Sequence, residues 1–521
     1  MSERFDTVIV GGGTSGCVVA SRLSEDSARQ VLLLEAGDDY PRRDDVPSLL
    51  SDVRYVPMRG HHPDPDPRHD WGLTAVAKDG QRISVPQGRT IGGGSAINGS
   101  ISLRGATADY REWAADGMPD WDWQPVLEAF RALEDDTAGP SEIHGQGGPW
   151  TISRSHEREY APLQAAFVQT CRGLGQPEAW DLNAPDAHGV GPAPMARTGT
   201  RRISAADAYL NPVRSRPNLT VRGRTQVARI VFQGARASGV ELVDGTVIGA
   251  REVVLCAGAI ATPALLQRSG VGPSGLLDQL GVQVIADLPA GDNLGDHFAV
   301  PLMAPPREGA WAPDHFSLQT ALRTSTSVQP GSMDAQILMF TYLNVRTTGA
   351  SEGSRGLAGE VSTGLDHVAG VGCVNNKPRA TGTVRITTTD PAVLPRVEPN
   401  YLEDPTDRAV TREIVRLGWS IVTGEPLASM LHEPLGLDAE TVADDDALDA
   451  ALDSRVASAY HFTGTARMGP AGDERAVVDE QGRVRGCEGL RVADASVIPT
   501  VPAANTMLPT LMVAERLAAV G

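Results

Sequence analysis

Cysteine is scarce in this chain of 521 residues. Its five cysteines (Cys17, Cys171, Cys256, Cys373 and Cys487) lie far apart with no C-x-x-C pair. An odd, scattered set argues against a disulfide frame or a thiolate metal cluster, and fits reduced thiols in a cytoplasmic protein. Long apolar runs are missing too. No stretch approaches the ~18 apolar residues that span a bilayer. The N-terminal run Val8 to Val10 is short, broken by glycines and lacks a basic flank, so no signal peptide is expected. Positive charge is in deficit: 46 Lys and Arg against 65 Asp and Glu give a net charge of −19. That balance argues against nucleic acid or an anionic membrane as partner. There is no internal repeat and no long low-complexity tract.

What is present is a globular composition, 41% hydrophobic and 21% charged, in a length that suggests about three domains' worth of material. The chain opens with an apolar run that enters Gly11-x-Gly13-x-x-Gly16 and then a helically spaced stretch to Leu23. Strand, tight turn and helix in that order aim helix amides and the helix dipole at a pyrophosphate. Gly11 suits the sharp turn, Gly13 a close approach of backbone to phosphate, and Gly16 close packing of helix on strand. A second strand, Gln30 to Glu35, ends in an acid 19 residues after Gly16. Such units place there the carboxylate that binds ribose hydroxyls. A bound dinucleotide is therefore expected.

Residues 38–87 read as loop, rich in Asp, Pro and Arg. Within it, 61–70 holds His, Asp and Pro without metal-ligand spacing, and reads as a surface or lid loop. Gly88 to Ser100, with three consecutive glycines, is a backbone-exposing loop suited to a flat or anionic ligand. Helices are expected around 108–113, from 120 to 130, near 161–173 and near 406–420. Strands are expected at 218–232, 239–243, 251–258, 335–343, 364–373 and 382–389. An acidic helical run at 441–452 reads as a solvated face. The segment carrying His461 and the proline-punctuated tail from Gly489 to Thr510 is expected to end in a strand and helix that return to the first sheet, which would place it beside the cofactor.

These residues together resemble the glucose–methanol–choline (GMC) oxidoreductases, flavoproteins that oxidise alcohols. The resemblance covers nearly the whole length. It is carried by the N-terminal fingerprint, Gly88 to Asn98, Gly258 to Gly272 and the block from His461 to Asn505. It is nearest to bacterial choline- and hydroxymethylfurfural-type enzymes, through Asn375-Asn-Lys-Pro, Ala476-Val-Val-Asp and Leu490-Arg-Val-Ala-Asp-Ala-Ser. It implies an α/β fold: a Rossmann-like FAD-binding domain interleaved with an α+β substrate domain of antiparallel sheet plus helices. The expected segments are 1–155, 206–299 and 456–521 for FAD, with 156–205 and 300–455 for substrate.

The resemblance makes the dinucleotide FAD. It assigns Gly11, Gly13, Gly16 and Glu35 to the ADP half, with Val227 meeting the adenine through its backbone. It assigns Asn98, Gly99, Ser100, Ile101, Asp494 and Ala495 to the ribityl and isoalloxazine portion, and implies that Thr14, Ser15, Ala36, Gly93, Ser95, Ala257, Thr506 and Met507 also bind the cofactor. His461 becomes the catalytic base and Asn505 its partner. The chemistry is coherent: a neutral imidazole with reference pKa ~6.5 can take a hydroxyl proton, and an amide can hold the oxygen. His144, His188, His297, His367 and His432 have no comparable context and read as structural or surface residues. Some members tether flavin through a histidine at the position of Ile97, which an aliphatic side chain cannot do, so non-covalent FAD is expected. The partners implied are a small primary alcohol and oxygen or another electron acceptor, with hydride passing to the flavin. A hydroxynitrile lyase with non-redox flavin and a non-catalytic flavin-binding protein are the alternatives.

Overall fold

The computed structural model describes residues 3–56, 66–77, 80, 82–344, 354–355 and 365–520. Its first sheet is built on the strand Arg4–Val10, whose C-terminal four residues are buried. It pairs in parallel with Val31–Leu34 on one side and Val247–Leu255 on the other. Leu219–Arg222 extends the sheet beyond Val31–Leu34, also in parallel. Buried on both faces, these central strands read as near-continuous aliphatic runs.

Val247–Leu255 forks. Its first half pairs antiparallel with Arg236–Leu242, and its last three residues pair in parallel with Leu490–Val492. The C-terminal strand thus rejoins the first sheet, as the sequence suggests. The helices Thr14–Leu23 and Met507–Ala519 pack together against it.

The second sheet has six antiparallel strands. Its order is Ala457–Ser458, Phe298–Ala304, His367–Asn375, Ala335–Asn344, Thr320–Thr324 and Gly189–Pro192. Helices Pro162–Gly173 and Pro405–Val422 cover one face with an apolar core that includes Phe167, Ile337, Met339 and Ile414. The other face carries Leu338 and Phe340 in a cluster with Ile101 and Ala504. Phe298–Ala304 crosses the 299/300 division, and Ala457–Ser458 pairs with it. The second sheet therefore reaches a few residues past both ends of 300–455.

Several local expectations change: the strand expected over 218–232 is two, Leu219–Arg222 and Val227–Gln233, and the one over 382–389 shortens to Thr383–Arg385. The 38–87 region is not all loop: Thr74–Val76 and Arg82–Ser84 join a small third sheet with Thr383–Arg385 and Arg396–Glu398. Three-residue strands are too short to show alternation. The strand expected over 364–373 spans His367–Asn375, and position 364 lies outside the described residues. The acidic run is two helices, Ala439–Ala443 and Asp445–Arg455, and is not merely solvated. Arg408, Arg412 and Arg416, spaced by four on one helix face, pair with Asp453, Asp449 and Asp445 at 2.5, 2.9 and 2.6 Å.

Candidate active site

The cavity begins where the first strand turns. Gly11 has φ +101°, and a Cβ there would stand 2.6 Å from the Cys256 carbonyl oxygen. A Cβ on Gly16 would overlap the Gly11 carbonyl, so helix and strand touch backbone to backbone. Gly13 is different: its φ is −73° and the nearest atom to its Cβ would be Gly93 Cα at 3.7 Å. The fold alone does not require glycine at position 13.

Three helices start at this cavity: Thr14–Leu23, Gly258–Arg268 and Met507–Ala519. None has a capping side chain at its N-cap residue or an acid in its first turn. The first amides of a helix have no intrahelical partner and carry the positive end of its dipole, which favours an anionic ligand. Glu35 sits beside them, its carboxylate accepting from the amides of Gly12 and Gly37 at 2.8 Å each. Burial pushes its pKa up to about 7 despite those donors. Gly94, Gly99 and Gly258 have no atom within 4 Å of where a Cβ would stand. The open N-termini of Thr14–Leu23 and Met507–Ala519, the buried Glu35 carboxylate and bare backbone fit a dinucleotide.

Every sequence-predicted site residue lines this one continuous cavity except Gly16 and Ser100. Gly16 serves the helix–strand contact. Ser100 is buried, and its Oγ accepts from Arg202 Nη1 at 2.6 Å. Arg202 also donates to the Asn98 carbonyl at 2.6 Å, so it supports the loop from beneath. Asp494 takes the Gly258 amide at 2.8 Å and the Thr262 hydroxyl at 2.6 Å.

At the far end, Asn505 Nδ2 lies 3.1 Å from His461 Nε2. The Asn505 oxygen accepts from Gln336 Nε2 at 3.3 Å, so the amide nitrogen is the group turned to the imidazole. An amide nitrogen only donates. His461 Nε2 therefore accepts, and its proton sits on Nδ1. That nitrogen faces His297 Nδ1 at 3.0 Å. His297 is fully buried; desolvation first, then the charge of Lys377, pulls its pKa down to about 3. It stays neutral, and its Nδ1 accepts the hydrogen bond from the His461 Nδ1–H.

The loop carrying His461 is fastened by Asp296. Its carboxylate accepts from the His461 amide and the Ser458 hydroxyl at 2.6 Å each, and from the Tyr401 hydroxyl. Tyr460 has φ +68°, a left-handed backbone costly for a bulky side chain. Its amide donates to Ser458 Oγ at 2.8 Å, so the same network sustains the bend.

A GMC oxidoreductase family model matches residues 5–299, and a second, C-terminal one matches 378–514. This chain belongs to the GMC oxidoreductase family. Its likeness to individual members runs end to end. It is 35% identical to a 5-(hydroxymethyl)furfural oxidase of Methylovorus sp., over 99% of this chain and 98% of that one. It is 31% identical to an oxygen-dependent choline dehydrogenase of Photobacterium profundum, over 99% and 93%. A crystal structure of pyridoxine 4-oxidase from Mesorbium loti superposes with TM-score 0.86 at 29% identity, covering 99% of each chain. The protein is accordingly an FAD-dependent oxidoreductase acting on alcohols.

Sequence reasoning about this GMC oxidoreductase missed His297, Asp296 and Gln336. No motif marks them, and only the antiparallel pairing of 295–299 with 457–463 brings the first two to His461. Among the loop histidines, 61 and 62 lie outside the described residues. His69 is buried, with Nε2 2.8 Å from the Tyr40 hydroxyl. Glu134, Asp136 and His144 are close enough to hold a cation, yet guanidinium groups already occupy that role. Arg104 binds Glu134, and Arg154 lies 2.7 Å from both Asp136 and Asp181. No helix among the described residues is long and apolar enough to cross a membrane.

Proposed function

We propose that the protein oxidises a primary alcohol to the aldehyde, with His461 as base and Asn505 as its partner. The observation that carries this is the 3.1 Å pairing of His461 Nε2 with Asn505 Nδ2 in the cavity that also contains the glycine turn. A substrate hydroxyl that takes the place of this direct contact donates its proton to Nε2 and accepts from Nδ2. The amide then faces negative charge growing on that oxygen. The His461 Nδ1 proton, directed at neutral His297, keeps the Nε2 lone pair turned to substrate. Bound FAD would supply the acceptor for the hydride that leaves the carbinol carbon, with oxygen or another acceptor as final oxidant.

The cofactor residues named above are proposed to hold FAD without a covalent link. Ile97, aliphatic and buried, lines the cavity where some relatives carry a tethering histidine. Cys256 also lines it, but burial drives its thiol far from ionisation. Segments 1–155, 206–299 and 456–521 are taken as the cofactor unit, with 156–205 and 300–455 as the substrate unit. All five cysteines are free and four are buried, which supports a reducing, cytoplasmic setting.

The test is anaerobic addition of primary alcohols to the purified flavoprotein, with His461→Ala beside the wild type. Alcohol should bleach the flavin absorbance, and the variant should keep FAD while bleaching ~10²–10⁴-fold more slowly, the usual worth of a general base. Wild-type bleaching rates in a variant that retains its flavin would remove His461 from the role.

A further inference from the structure

The strand Ala335–Asn344 presents alternate residues to the cavity. Gln336 reaches Asn505 from it. With a period of two, Leu338 and Phe340 follow on the same face at about 3.3 Å per residue, and both line the cavity. Ile337 and Met339 point to the opposite core. Across from Leu338 and Phe340 in the neighbouring strand stand Gly372 and Gly370. A Cβ at Gly372 would come within 3.1 Å of the Phe340 ring. The missing side chain makes room for the ring to lie against the sheet. Leu318, Ile101 and Ala459 complete this wall, in one apolar cluster with Ala504, the neighbour of Asn505.

Among the described residues, charge is confined to other parts of the cavity. Among the described lining residues the carboxylates are Glu35 and Asp494 and the cation is Arg268. Glu35 is bonded to Gly12 and Gly37. Asp494 is bonded to Gly258, Thr262 and Ser496. Arg268, at the far end of its helix, donates to the Ala228 carbonyl at 3.2 Å. Asp296, the acid nearest His461, has its oxygens taken by three donors and does not line the cavity. A charged substrate group placed against Leu338 and Phe340 would lose its hydration with no counter-ion beside it among the described residues.

We infer that the alcohol oxidised here is uncharged and carries an apolar, ring-sized group on its carbinol carbon, seated on Leu338 and Phe340, and that the site discriminates against cationic and anionic alcohols. This rests on the proposed placement of the reacting hydroxyl between His461 and Asn505.

The holoenzyme should be reduced anaerobically with benzyl alcohol, ethanol, choline and 4-(hydroxymethyl)benzoate. Benzyl alcohol should exceed both charged compounds in kcat/KM by 10² or more. Phe340→Ala, with FAD content checked by absorbance, should lower the benzyl alcohol to ethanol ratio at least tenfold, the scale at which apolar pockets discriminate. Choline or the benzoate matching benzyl alcohol would overturn the inference while leaving His461 and Asn505 as the reacting pair. An unchanged ratio in a flavin-replete Phe340→Ala would overturn the placement on that wall. If Phe340→Ala fails to fold, the wild-type series decides alone. No reduction by any of the four would overturn both the inference and the proposed oxidation.

Discussion

His297 and His461 meet Nδ1 to Nδ1 at 3.0 Å, with their rings nearly perpendicular at 79°. One nitrogen must donate and the other accept, so each ring sets the tautomer of the other. Since Asn505 requires an acceptor at His461 Nε2, the buried His297 is a positioning residue. His297→Leu removes the acceptor and frees His461 to place its proton on the wrong nitrogen. Flavin reduction by alcohol should slow by roughly 10–10²-fold, part of the span a general base covers, and the acid limb of the kcat/KM profile should move. His297→Gln, which still offers an acceptor oxygen, should recover part of the rate. A Leu variant with an unshifted profile would show that His297 merely fills space.

The glycines of the turn should separate by experiment. Gly16→Ala drives a methyl into the Gly11 carbonyl, so the variant should express poorly or melt well below the wild type. Gly13→Ala finds 3.7 Å of room. It should fold normally, yet emerge with reduced FAD because its methyl stands where a pyrophosphate approaches. Circular dichroism melting and flavin content measure the two effects independently. A fully flavinated Gly13→Ala would misplace the phosphates.

FAD affinity should depend on pH through Glu35. Burial raises its carboxyl to about 7 in the cofactor-free protein, whereas ribose hydroxyls donating to it favour the ionised form. Binding then releases a proton below pH 7, and affinity rises with pH until it levels off above about 7. Calorimetry in buffers of different ionisation enthalpy reads that proton. Glu35→Gln should abolish the release and weaken binding.

Stability should fall on the alkaline side because of His144. Desolvation disfavours its charge, but hydrogen bonds to Asp181 and Glu134 outweigh it and raise the pKa to about 9. An unfolded histidine titrates near ~6.5. The stabilisation is therefore complete below the unfolded value and lost as pH rises through 9, about 3 kcal/mol at most for such a shift. Denaturant midpoints between pH 6.5 and 9 should drop in the wild type and stay flatter in His144→Gln.

The cofactor end was legible because its chemistry is done by backbone. Gly11, Gly16 and Glu35 fall within one strand–turn–helix–strand unit, so their spacing in sequence is their spacing in space. The substrate wall was not legible for a matching reason. Ala335–Asn344 is apolar on both faces because one side meets a helix layer and the other the cavity. Its pattern shows a buried strand without saying which residues face the alcohol. His461 and Asn505 emerged only from resemblance, and His297 became visible only through strand pairing across 164 residues.

The fork in Val247–Leu255 has a mechanical side. His461 hangs from the strand Ala457–Ser458 of the second sheet, whereas Asn505 follows Leu490–Val492 of the first. The separation of these two side chains therefore acts as a gauge of how the sheets sit against each other. A slide of an ångström between the layers, harmless to either core, would be read first as a lengthened 3.1 Å contact and lost turnover. Mutations that loosen the seam far from the cavity should thus mimic damage to the proposed base itself.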